Sequence, residues 1–144
     1  MIQIRTKLTN TLAKLPKRAH PTDAGADLYS VDNFHLIPGA KNLFDTGVAV
    51  AIPEGFVGLI FNRSSQGKSG IKLANSVGVI DSDYRGNLKV LLENQSEDFT
   101  YVVEAGVTKI AQLVVVPILL PEFKEYDSLD STQRGTGGFG STGE

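Results

Sequence analysis

Apolar residues in this chain recur at every second position or in short solid runs, and no stretch sustains the 3.6-residue spacing of an amphipathic helix. Thr46–Ile52 (T-G-V-A-V-A-I), Phe56–Phe61 (F-V-G-L-I-F), Leu88–Leu92 (L-K-V-L-L) and Phe99–Val103 (F-T-Y-V-V) read as strands. Ile110–Leu120 is so rich in valine and leucine that it reads as a strand buried on both faces. Turn residues separate these runs. In I-P-E-G, Pro53 suits the second position of a type I turn and Gly55 the fourth, which predicts a hairpin. Pro38-Gly39, Glu104-Ala105-Gly106 and Pro121 mark further breaks. Short strands interrupted about every 8–12 residues predict an all-β, jelly-roll-like domain, a distorted barrel or sandwich, with at most one short helix after Arg63-Ser64-Ser65.

The 144 residues amount to one domain, and an apolar content of 41% is enough for a packed core. Leu88–Leu92 and Leu113–Leu120 carry more apolar surface than a small sandwich with one wet face can bury. That excess predicts a homo-oligomer. A net charge of −2 argues against electrostatic binding to nucleic acid or an anionic membrane. With no cysteine, disulfides and thiolate metal sites are excluded, and the two histidines, His20 and His35, are not at ligand spacing. A metal would be a hard cation such as Mg²⁺, held by oxygens. The opening M-I-Q-I-R-T-K-L has no apolar leader pattern and no run reaches membrane-spanning length, so a soluble, cytoplasmic protein is expected.

Five polar clusters remain once the strands are set aside. Asp27 sits in A-G-A-D-L-Y-S, a strand-like stretch where aspartate is disfavoured; it is either a functional acid or a solvated, turn-capping one. N-R-S-S-Q-G-K-S-G places Arg63, Ser64 and Ser65 directly after a strand. That suits a phosphate site, and it equally suits a serine capping a helix. N-S-V-G-V-I-D-S-D-Y-R-G-N, from Asn75, runs Val77, Val79 and Ile80 into Asp81 and Tyr84. It reads as a hairpin whose backbone can recognise a flat polar ring beside a water-activating carboxylate, or as an ordinary turn. In T-K-I-A-Q-L, Gln112 opens the most apolar strand and needs partners unless it faces water. The last cluster, R-G-T-G-G-F-G-S-T-G, from Arg134 through Phe139, Gly140 and Ser141, is a loose tail or a segment that orders over a ligand.

In this order the five clusters resemble the five motifs of the trimeric dUTPase family, over Ala24–Gly143. The resemblance implies a homotrimer whose shared active sites hydrolyse dUTP to dUMP and pyrophosphate with Mg²⁺. It implies a jelly-roll domain over residues 1–130 and a flexible glycine-rich lid over 131–144, contributed to a neighbour's site. Asp81 corresponds to the carboxylate that deprotonates the attacking water. Asn75 and the Val77–Ile80 backbone, with Val79 and Ile80, correspond to the uracil-reading wall, and Tyr84 to the ring under the deoxyribose. Arg63, Ser64, Ser65 and Gln112 correspond to groups on the phosphates, with Gln112 close to the reacting centre. Asp27 corresponds to the acid that holds the metal site through water. Arg134, Gly140 and Ser141 correspond to tail contacts on the terminal phosphates, and Phe139 to the ring that stacks on uracil.

Two positions depart from the family pattern. Asn62 stands where proline or glycine is usual, and Lys109 stands where arginine is common before I-A-Q. Lysine keeps the charge and loses the two-pronged fork, so altered packing or phosphate affinity is expected. A related fold carries dCTP deaminase activity, and a dUTPase with an added protein-binding role has the same motifs; both remain open on sequence.

Overall fold

The computed structural model describes residues 2–138. Ten strands and one helix follow in chain order there: β1 (Arg5–Leu8), β2 (Ala26–Tyr29), β3 (Phe34–Leu36), β4 (Lys41–Ala51), β5 (Phe56–Phe61), α1 (Ser64–Lys68), β6 (Ile71–Leu73), β7 (Gly78–Ile80), β8 (Asn87–Asn94), β9 (Tyr101–Val103) and β10 (Lys109–Pro117). They form one four-stranded sheet in the order β1-β4-β8-β6, a second in the order β2-β10-β5-β7, and a two-stranded ribbon, β3-β9. All the pairings are antiparallel.

The period-two pattern explains why these sheets face each other. Along β8, Leu88, Val90 and Leu92 point inward while Lys89 points to solvent. Their side chains meet Phe44, Val48 and Val50 of β4 and Leu28, Ile60, Ile110 and Leu113 of the second sheet in a single buried cluster. Leu36 and Val103 close its end from the ribbon. The result is a β sandwich of the jelly-roll class with one short helix.

Pro53 and Gly55 do not make the expected hairpin. The turn runs from Pro53 to Phe56, closed by Phe56 N–H donating to Pro53 O (3.2 Å). Gly55 therefore takes its third position, with φ of +82°, a conformation that glycine adopts without strain. The turn carries the chain from β4 in one sheet to β5 in the other. The Asp81–Tyr84 turn likewise carries it from β7 back to β8 in the opposite sheet, so β7 has β5 as its partner and forms the outer edge of the second sheet.

β10 stops at Pro117, three residues short of the predicted end. Ile118 N–H donates to Gly55 O (2.9 Å), and from there to residue 138 the described chain forms no helix or strand. Along this arm Leu119, Phe123 and Leu129 are about nine-tenths exposed (91%, 93% and 88%).

Candidate active site

The second sheet brings three of the five clusters together. β10 runs between β2 and β5, with Gln112 directly opposite Asp27 on one side and Phe61 on the other. Directly opposed residues share a face of the sheet, so Asp27 and Gln112 project together. Arg63 follows two residues after Phe61, and its Nε donates to Asp27 Oδ1 (3.0 Å). Lys109 Nζ lies 2.7 Å from Asp27 Oδ2.

Lys109 reaches this acid because of a register shift. It stands three residues before Gln112, which in a regular strand would turn it to the opposite face. A bulge between Lys109 and Ala111 corrects the parity. The hydrogen bond to Asp27, followed by the charge of that carboxylate, raises the pKa of Lys109 above its ordinary 10.5. The ammonium therefore stays charged across the neutral range. Any stability it adds is lost only as pH rises beyond that ordinary value. Lys109 and Arg63 thus share the Asp27 carboxylate, one on each oxygen.

Gln112 Nε2 donates to Asn62 O (2.9 Å), which leaves its Oε1 facing Gly25. A Cβ at Gly25 would overlap that oxygen, so any larger residue there would push the Gln112 carboxamide out of place. Asn62 Nδ2 donates to Ile71 O (2.8 Å), tying the exit of β5 to β6; this is the packing consequence of asparagine at that position. Neither Ser64 nor Ser65 caps α1. Arg63 occupies the cap, and its N–H donates to the side chain of Gln66 (3.2 Å). Gln66 is 3% exposed and donates in turn to Ile110 O (2.9 Å) and Tyr101 Oη (3.2 Å). This residue fastens Arg63 to β10, and the exposed hydroxyls of Ser64 and Ser65 play no part in the cap. Sequence reading missed Gln66; its one signal was a polar residue at the third position of a helix start.

The remaining cluster with a carboxylate lies elsewhere. Val79 is 63% exposed on the free edge of β7, Asn75 is exposed before it, and Asp81 is exposed immediately after it. Val79, Ile80, Asp81, Tyr84, Asn87 and Lys89 line a pocket of about 190 Å³. Tyr84 N–H donates to Asp81 O (3.2 Å), and Tyr84 Oη donates to Asn87 O (3.0 Å).

Asp81 and the Arg63 cluster are far apart within one chain. Ile60 pairs with Gly78 and Gly58 with Ile80, so Asp81 continues past Gly58 towards the start of β5. Arg63 follows the other end of the same strand. Six residue steps from Val57 to Arg63, at about 3.3 Å each, separate them by roughly 20 Å. Arg63, Ser65, Tyr101 and Lys109 line their own pocket of about 380 Å³, and neither pocket that includes Asp81 includes Arg63 or Lys109. Arg134 is exposed on the arm and donates from Nε to Gly137 O (2.8 Å). Phe139, Gly140 and Ser141 lie outside the described residues.

Among the described residues no three His, Cys, Asp or Glu side chains converge as a metal cage. Asp27 spends one lone pair of each oxygen on a cation, which leaves others free to accept from water. That donor set fits a Mg²⁺ carried by phosphates and its own waters, with Asp27 in the outer sphere, and does not fit direct ligation.

The dUTPase family model matches residues 11–143. The chain is 48% identical over 130 residues to the deoxyuridine 5'-triphosphate nucleotidohydrolase of Rhodococcus erythropolis, covering 90% of this chain and 79% of that protein. It is 43% identical over 131 residues to the protein of the same name from Corynebacterium glutamicum, covering 90% and 87%. A mutant of the Staphylococcus bacteriophage 80alpha dUTPase, solved with dUpNHpp, superposes with a TM-score of 0.88 at 33% identity and full coverage of both chains. A point mutant of the dUTPase of phage phi11 of S. aureus, whose structure reveals the coordination of a structural Mg(II) ion, superposes at 0.82 with 33% identity, over 90% of this chain and 100% of that one.

Proposed function

The chain belongs to the dUTPase family, and from that premise we propose that its active site is divided between subunits of a homotrimer, Asp81 and Tyr84 coming from one chain and Arg63, Lys109 and Gln112 from another. The enzyme hydrolyses dUTP to dUMP and pyrophosphate. The observation that carries the division is the roughly 20 Å between the nucleoside pocket and the cationic cluster along one β5 strand. A carboxylate that activates water must stand within hydrogen-bond reach of it, directly beside the α-phosphorus. One chain alone does not bring its own Asp81 to its own Arg63.

Asp81 takes a proton from water as the water oxygen forms its bond to the α-phosphorus. The bond from that phosphorus to the bridging oxygen breaks, and the electron pair leaves with pyrophosphate. Attack on a polyanion is opposed by like charge, so Arg63 and the arm's Arg134 neutralise the phosphates where negative charge accumulates. Gln112, fixed by Asn62 O, points a carboxamide towards the same phosphates. Asp27 keeps Arg63 and Lys109 extended and would hold a bound Mg²⁺ through its waters. Bound Mg²⁺ supplies further neutralisation of phosphate charge. The lid, residues 131–144, closes over a neighbour's nucleotide, with Phe139 against the base and Gly140 and Ser141 at the phosphates.

Selectivity follows from fixed polar groups. The free edge of β7, with Asn75, offers backbone donors and acceptors to the uracil edge. Cytosine reverses two of the three groups on that edge and leaves buried ones unpaired, a mismatch worth about 10⁴ in discrimination. The test is pyrophosphate release with dUTP, UTP, dCTP and dTTP side by side in the presence of Mg²⁺. Release from dUTP alone is expected. Comparable release from dCTP, or ammonia in place of pyrophosphate, refutes the assignment.

A further inference from the structure

We propose that Asn87 and Asp45 form a clamp that positions Tyr84 and thereby sets the preference for deoxyribose over ribose; this rests on the reading of Tyr84 as the surface beneath the sugar. Tyr84 is 42% exposed and stands in a turn, so packing alone does not fix its ring. Two contacts do. The ring lies against Gly86, where a Cβ would overlap Oη, and that hydroxyl donates to Asn87 O (3.0 Å).

Asn87 is itself held by its side chain. Its Nδ2 donates to both oxygens of Asp45 (3.0 and 3.1 Å), and its Oδ1 accepts from Thr9 Oγ1 (2.9 Å). Asp45 is fixed in turn. Its Oδ1 accepts from Gly47 N–H (2.7 Å), and its own N–H donates to Asp32 Oδ2 (2.9 Å). This network sits at the bulge in β4 between Asp45 and Ala49, where Gly47 has φ of +62°. The bulge places Asp45 where it can reach across to the first residue of β8. Charge-assisted hydrogen bonds thus hold the side chain of Asn87, whose main-chain carbonyl accepts from the hydroxyl of a surface tyrosine. Anchored in this way, the ring cannot swing aside to admit a 2′-hydroxyl. Asn87 and Asp45 are positioning residues that act on the sugar through Tyr84.

The experiment measures kcat/KM for dUTP and for UTP, and reports their ratio, in the full-length enzyme. Asn87→Asp sets one carboxylate against another and is expected to lower the ratio about tenfold, the effect of losing one charge-assisted bond. Exchanging the partners, Asp45→Asn with Asn87→Asp, re-forms one amide–carboxylate hydrogen bond between the two positions and is expected to restore most of the lost ratio. Tyr84→Phe cuts the anchor from the other end without disturbing the fold of the clamp, and is expected to lower the ratio as Asn87→Asp does. A ratio unchanged in Tyr84→Phe, or a folded exchange variant that fails to restore it, overturns the clamp. Tyr84→Ala separates the two levels. If it lowers the ratio while Tyr84→Phe and Asn87→Asp do not, the clamp alone is wrong. If Tyr84→Ala leaves the ratio unchanged, Tyr84 is not the sugar surface and both readings fall.

Discussion

Asparagine in place of Asp81 is expected to leave dUTP binding intact and to lower kcat by about 10²–10⁴, the range that general-base assistance contributes. The substitution keeps the shape of the side chain and removes its ability to accept a proton. It spares the turn, because Tyr84 is held there by the backbone carbonyl of residue 81. The kinetic signature is therefore a fall in kcat without a rise in KM, the mark of an interaction made only in the transition state. Single-turnover kinetics with equilibrium binding of dUTP will measure it. Near-wild-type turnover would remove Asp81 from the mechanism.

Deleting Arg134–Glu144 is expected to lower kcat/KM by at least about 10³, the scale of an arginine supplied in trans to a transferring phosphate. The fold should survive, since the buried residues of the core end at Leu113 and, among the described residues, the Arg134 side chain bonds to the nearby Gly137. A melting temperature unchanged from wild type, together with lost activity, is the predicted pair of results. The glycines explain why the wild-type segment works. They permit close backbone approach to phosphate. In the proposed closure, stacking of Phe139 and charge pairing of Arg134 would offset the entropy lost on ordering. A fully active truncation would remove this segment from the active site.

Much of the architecture was legible because a sandwich writes its inner face every second residue. Phe56–Phe61 and Leu88–Leu92 are strands as read, and α1 begins at Ser64. Arg5–Leu8 was not legible, since β1 pairs through its backbone and buries no apolar stripe. The Pro53 turn starts one residue later than its sequence predicts, because a glycine that suits the fourth position of one turn type suits the third of another. Nor does sequence give any sign that β4 and β5 belong to different sheets. At the site, ordered motifs singled out Asp27, Arg63, Gln112, Asp81 and Tyr84 as candidates. The contacts that hold them were not legible, even where the residue, Lys109, had been singled out. Gln66 acts through a buried carboxamide, Asn87 through a pairing 42 residues distant in sequence, and Lys109 through a bulge that reverses its face. Each depends on register, which period-two patterning leaves undetermined. The alternative of a dCTP deaminase falls away with the family match.

Apolar side chains along the arm, among them Leu119, Phe123 and Leu129, stand in solvent in a single chain and supply the surface that association would bury. The separation of Asp81 from Arg63 makes the same demand from the chemistry. Both are tested by mixing two inactive variants, Asp81→Asn and Arg63→Ala, after unfolding them together and refolding. If each site draws these residues from different chains of a symmetric trimer, random assembly frees about a quarter of the sites from both lesions and restores about a quarter of wild-type activity. If every chain builds its own site, each site keeps one lesion, and a mixture no more active than the separate variants would contradict the account.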